Sequence, residues 1–152
     1  MKRTYLVVVD ASTEAESALL FAARRAAKTG GGVHVLALVP KPEFVQWGAV
    51  QATMEAEARA RAEAMVMGAA GTLMAEAGVQ PAITVQFGDP IAAVKALLAS
   101  EKSVAALVLG AAPKGAPGAL VAHFAGHDAG ALPCPVMIIP GSLSREDIER
   151  MS

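Results

Sequence analysis

Few residues of this chain have the type and spacing to do chemistry. Asp10 ends a short apolar run that starts at Tyr5, and a stretch rich in glycine and proline runs from Gly110 to Gly118. Glycine lets a backbone approach a phosphate closely, so an acidic group and such a loop could share a ligand site. The plainer reading of Asp10 is a strand-end or helix-capping residue. His123 and His127 are spaced i,i+4 with Asp128 beside them, a spacing able to clamp one metal ion. No third ligand falls on that face, so a surface or partly buried histidine pair is expected and no metal site is assigned. His34 lies inside a strand-like run and reads as a hydrogen-bonded histidine near the sheet surface. Cys134, the single cysteine, sits between Pro133 and Pro135 and reads as a packed, inert thiol. No Ser/His/Asp ordering and no paired-carboxylate spacing stands out, so no catalytic residue is assigned and the protein is read as a non-enzyme.

What must position these groups follows from length and patterning. At 152 residues the chain fits one domain. We draw it as residues 1–141, followed by a polar tail over 142–152. Hydrophobic residues make up 54% of the chain, but alanine alone contributes 34 residues, which leaves an ordinary supply of larger core formers. No apolar run approaches the roughly 18 to 20 residues that cross a bilayer. A membrane span is therefore not expected. Thirteen basic against fourteen acidic residues give a net charge of −1 without a Lys/Arg cluster, which argues against nucleic acid as a partner. One cysteine excludes an internal disulfide and fits a reducing cytoplasm.

Short β-branched runs alternate with alanine-rich amphipathic ones. Tyr5 to Asp10 reads as a strand covered on both faces. Thr13 to Glu16 matches a capping box that opens a helix with an apolar stripe of Ala15, Ala18, Leu19, Ala22, Ala23 and Ala26, stopped by Gly30 to Gly32. Val33 to Val39 is a second buried strand. A long helix is expected from about Val50 to Ala77, with Met54, Ala58, Met65, Ala69 and Leu73 inward and the pairs Glu55–Arg59 and Glu57–Arg61 on its exposed side. Ala82 to Phe87 alternates polar and apolar residues, as a strand at or near an edge does. Asp89 is placed to cap the next helix and Pro90 to start it. Val104 to Leu109 is a fourth strand, Leu120 to Leu132 a helix of irregular pattern, and Val136 to Ile139 a fifth strand. Ser144 and Asp147 hint at a short last helix. The order is that of an α/β sandwich with a parallel sheet, whose ligands bind outside the carboxyl ends of the strands.

The segments Leu6 to Ser12, Gly88-Asp89-Pro90, Val104 to Gly110 and Pro133 to Val136, in this order and spacing, resemble the universal stress proteins across nearly the whole chain. The resemblance implies a Rossmann-like, adenine nucleotide alpha hydrolase-like sheet of order 3-2-1-4-5, with a crevice where the first and fourth strands meet. It implies that Asp10 lies near a nucleoside, that the backbone at Val39 faces an adenine, and that Gly110 opens a phosphate loop, with Gly115 and Gly118 left to form an irregular cradle. The chain departs from the ATP-binding pattern at two places. Pro113 stands where a glycine is expected, and Ala122-His123 where a Gly-Ser pair is expected. The expected function is thus a non-catalytic stress-response regulator that requires no cofactor, its triphosphate site degenerate. The alternatives are a switch that binds ATP or AMP and, further off, a flavin carrier. A homodimer through Val136, Met137, Ile138 and Ile139 is also implied.

Overall fold

The computed structural model describes residues 2–42, 44 and 46–152. Its first strand, β1 (Thr4–Val9), shows why the molecule has two cores. Alternate side chains leave a strand on opposite sides. Tyr5 and Val7 join one buried cluster, Leu6 and Val8 the other. Strands β2 (Gly32–Val39), β3 (Ala82–Phe87), β4 (Val104–Ala111) and β5 (Val136–Pro140) complete a sheet of order β3-β2-β1-β4-β5, every pair parallel. This is the order the resemblance implied. It puts β3 on an edge, in agreement with its alternating sequence, and β5 on the other.

One face is covered by α1 (Glu14–Thr29), α2 (Gly48–Ala77) and α5 (Arg145–Met151). All six expected stripe residues of α1 are buried, together with Leu20 and Phe21. The helix closes at Gly30 in a left-handed turn, φ 68°. The capping box does not form: Thr13 already has helical dihedrals and its side chain makes no cap bond, whereas a capping residue ordinarily stays extended so that its hydroxyl can reach back. Along α2 the buried residues are Ala58, Ala62, Ala69 and Leu73, while Met54 and Met65 are only half-buried. The small residues take the close approach, so the inner stripe runs through Ala62 as well. Among the described residues no ion pair joins Glu55 to Arg59 or Glu57 to Arg61; Glu55 accepts from Gln51 Nε2 at 3.0 Å instead. Charge contacts bind this layer across elements. Arg24 of α1 donates to Glu76 of α2 at 2.6 Å, and Arg145 of α5 bonds the other oxygen of the same carboxylate. Arg24 Nε also lies 2.8 Å from Glu149 Oε2, close enough for attraction but without hydrogen-bond alignment.

The other face is covered by α3 (Pro90–Ser100) and by α4 (Ala119–Ala122), which is only four residues long. The helix expected over Leu120 to Leu132 breaks into α4, a π-helical turn at His123–His127 and a 3-10 turn at Ala129–Ala131. Phe124 in the π turn is fully buried against Leu6, Leu107, Val94 and their neighbours. At the end of the chain Ser144 caps α5 by accepting from Asp147 N at 3.1 Å, and Ile148 is buried against α1's side of the sheet. No helix among the described residues is long and apolar enough to cross a membrane.

Candidate functional site

β1 ends at Val9, and the chain turns sharply into α1 through Asp10, Ala11 and Ser12. The turn is held by the Asp10 carboxylate, whose Oδ1 accepts from Ser12 N at 2.9 Å and from Ser12 Oγ at 2.5 Å. Asp10 itself stays exposed. Beside it β4 runs on through Gly110 to Ala111, two residues farther than the sequence pattern suggested. Gly110 is required there by space. A Cβ at this position would lie 2.2 Å from the carbonyl oxygen of Glu14 and 3.2 Å from Ala15 N, backbone atoms that cannot yield. Glycine at the end of β4 therefore lets the first turn of α1 sit against the sheet, a packing duty distinct from holding a phosphate.

Between these strand ends lies a crevice of about 440 Å³, within the ~300–1,000 Å³ usual for small-molecule sites. Val8, Leu38, Leu109, Leu120 and Val121 make its apolar walls. Asp10, Val39, Gly110 and Gly118 all line it, so four of the five residues expected from the sequence come together. Val39 is 2% exposed and can offer only its backbone. Gly118 takes φ 110°, a conformation that L side chains rarely adopt, as the chain turns into α4. Gly115 lies outside the lining. It belongs to a loop whose ends are drawn together by Ala112 N donating to Pro117 O at 3.2 Å. The sequence reading missed Glu14, Pro40, Gly88, Pro90 and Pro117, which also line the crevice. All but Pro117 directly follow a strand's carboxyl end or open a helix there, and that position was the available signal; Pro117 lies in the loop before α4. The Asp10–Ser12 turn also borders a second cleft of about 500 Å³ between α1, α2 and the start of α5.

Asp89 caps α3 by accepting from Ile91 N at 3.1 Å, as expected for an Asp-Pro start. The histidine pair lies apart from the crevice. His123 Nε2 meets Asp128 Oδ2 at 2.5 Å, and Lys95 Nζ of α3 meets the same oxygen at 3.1 Å. The His123 hydrogen bond, then Lys95, hold the Asp128 carboxyl below its ordinary value. His127 Nε2 stays 4.0 Å from Asp128 Oδ1, and among the described residues no three His, Cys, Asp or Glu side chains are arranged to hold a metal ion. His34 Nε2 shares a 2.8 Å hydrogen bond with Thr84 Oγ1 across β2 and β3. Cys134 is half-buried, and desolvation pushes its thiol up, away from the reactive thiolate.

The fold is shared with solved structures of low sequence identity. A universal stress protein, UspA, from Lactobacillus plantarum superposes with a TM-score of 0.71 at 18% identity, over 90% of this chain and 97% of that one. The universal stress protein from Archaeoglobus fulgidus in complex with dAMP gives 0.53 at 20% identity, over 91% and 98%. A universal stress protein family protein from Arabidopsis thaliana with AMP bound gives 0.59 at 16%, over 91% of each chain. A search of curated proteins finds no significant match. The model of the universal stress protein family matches residues 1–140. With the parallel sheet and its crevice in the implied order, this match shows that the chain belongs to the universal stress protein family.

Proposed function

We propose that the chain is a non-catalytic, cytoplasmic regulatory member of its family, a homodimer whose crevice receives an adenine-type ligand and holds a triphosphate weakly. The crevice between the ends of β1 and β4 carries this reading. It has apolar walls for a base, yet Pro113 replaces one expected glycine, Gly110 is committed to packing, and Gly115 lies outside the lining. Asp10 retains one oxygen beyond its bonds to Ser12, able to accept from a ligand hydroxyl. Two or three lost charge-assisted contacts, at about 1.5–3 kcal/mol each, weaken a nucleotide by several powers of ten. The dAMP and AMP found in two structural neighbours support an adenine ligand, and favour as second reading a nucleotide switch. Titration of the purified protein with Mg-ATP separates the two: binding in the millimolar range is expected, and a low micromolar dissociation constant would overturn the proposal in favour of the switch.

The dimer is drawn through β5, an edge strand whose Ile138 is 40% exposed. Pairing an edge with its own copy about a two-fold axis closes at two subunits. Ile138→Lys should give a folded monomer by light scattering. A wild type already monomeric at tens of micromolar, or a mutant still dimeric, removes this interface.

A further inference from the structure

Resting on the adenine-type reading above, we infer that the crevice selects the unphosphorylated nucleoside over any of its phosphate esters, and that Glu14 is the residue that enforces the choice. The lining contains two carboxylates, Asp10 and Glu14, and no lysine, arginine or histidine. Among the described residues neither carboxylate is joined to a cation, so both charges act on whatever enters. A carboxylate accepts hydrogen bonds and offers none. It suits the hydroxyls of a sugar and opposes a phosphate.

Glu14 cannot easily swing its backbone out of the way. Its carbonyl packs against Gly110, where a Cβ would come within 2.2 Å, and its own Cβ faces Gly141, where an added Cβ would lie 3.0 Å away. The residue is half-buried at the first turn of α1, so its side chain offsets the positive end of that helix where an anion would otherwise be drawn.

Several backbone donors around the crevice are spent or missing as well, although the N–H groups of the first turn of α4 are not. Ser12 N is taken by Asp10. α3 opens with Pro90, which has no N–H, and Ile91 N is taken by Asp89. Pro113 and Pro117 remove two more N–H groups from the loop after β4, and Ala112 N is turned to Pro117 O. A phosphate would therefore give up its water shell for little more than the N–H groups that open α4, beside two carboxylates. A neutral nucleoside loses little here: its base meets Val8, Leu38, Leu109, Leu120 and Val121, and its hydroxyls find the carboxylates.

The test is calorimetric titration of the purified protein, at low salt and without magnesium, with adenosine, AMP and ATP. Adenosine should bind at least tenfold more tightly than AMP, with ATP weaker again. The gap should shrink as salt is added, since exposed charges are screened. In Glu14→Gln the ratio of adenosine to AMP affinity should fall several-fold. AMP binding as tightly as adenosine, or a ratio unchanged in Glu14→Gln, overturns the selectivity and leaves the adenine reading standing. Failure of all three ligands to bind removes the adenine reading and this inference together.

Discussion

The two layers that cover the sheet hold it in different ways. On the side of α1, α2 and α5, burial is spread over many small residues: Ala15, Ala18, Ala22, Ala23, Ala26, Ala58, Ala62 and Ala69 let long helices lie close to the strands and to each other. Ion pairs through Arg24, Glu76 and Arg145 then tie the three helices together. On the side of α3 and α4, helices are short and the covering is concentrated in larger groups, above all Phe124 in its π turn. The crevice opens toward this second layer, where Leu120 and Val121 form part of its wall. The difference teaches that the regular layer supplies a fixed platform, while the interrupted one supplies shape. A continuous helix over residues 119–131 would present a straight wall. The break at His123 lets Phe124 plug the core while the residues before it face the crevice.

The contrast can be broken at its most concentrated point. Phe124→Ala should cost about 3–5 kcal/mol, the range for emptying a buried aromatic position, whereas Ala22→Gly in the middle of α1, which loses helix propensity and one buried methyl group, should cost only about 2 kcal/mol. Urea unfolding of the two variants measures both, and equal losses would show that the two layers bear load alike. A smaller effect sharpens the account of α3. Removing its cap in Asp89→Ala should cost about 1 kcal/mol with ligand affinity kept; loss of binding at full stability would move Asp89 into the site. The smallest effect is a pH dependence. Because His123 and Lys95 lower the Asp128 carboxyl in the folded state, Asp128 binds its proton less readily there than in the unfolded chain. Its contribution is therefore present above the ordinary carboxylate range and is lost as pH falls through the lowered folded value. Wild type should lose more stability than Asp128→Asn between neutral and acid pH, and parallel curves would show that this cluster does not clamp α3 to the broken helix.

Much of the frame was legible because strong periodic signals agreed with one another. The stripe of α1, the Asp-Pro start of α3, the buried runs of β1, β2 and β4 and the edge character of β3 were each written in a few consecutive residues. The strand order was not contained in periodicity and came with the family resemblance. At the site, Asp10 and the loop from Gly110 to Gly118 could be placed because ligands of such sheets bind at the carboxyl ends of strands, whereas the part expected of Val39 came with the family resemblance. The position of Gly115 within that loop could not be read, because the path of a glycine-proline loop depends on the Ala112 to Pro117 closure, which no local pattern announces. Glu14 was read as part of a capping box, and its place in the crevice depends on the tight approach of α1 to β4. Tertiary contact, in both cases, decided what the local sequence left open.

The adjacency of β1 and β4 has a consequence for the order in which the molecule is assembled. Asp10 and Gly110 face one crevice but lie in the first and last thirds of the chain, and the central β1–β4 pair joins residues that are synthesised far apart in time. β1, α1 and β2 can associate as soon as they emerge, burying one face of a small ribbon. The crevice has no second wall until β4 arrives, and α4 follows later still. Closing so long a stretch of chain costs entropy before any contact rewards it, which makes such pairings slow. During synthesis the β4 side of β1 is an open, apolar strand edge, so the time spent waiting for β4 is the interval in which this protein is most exposed to aggregation.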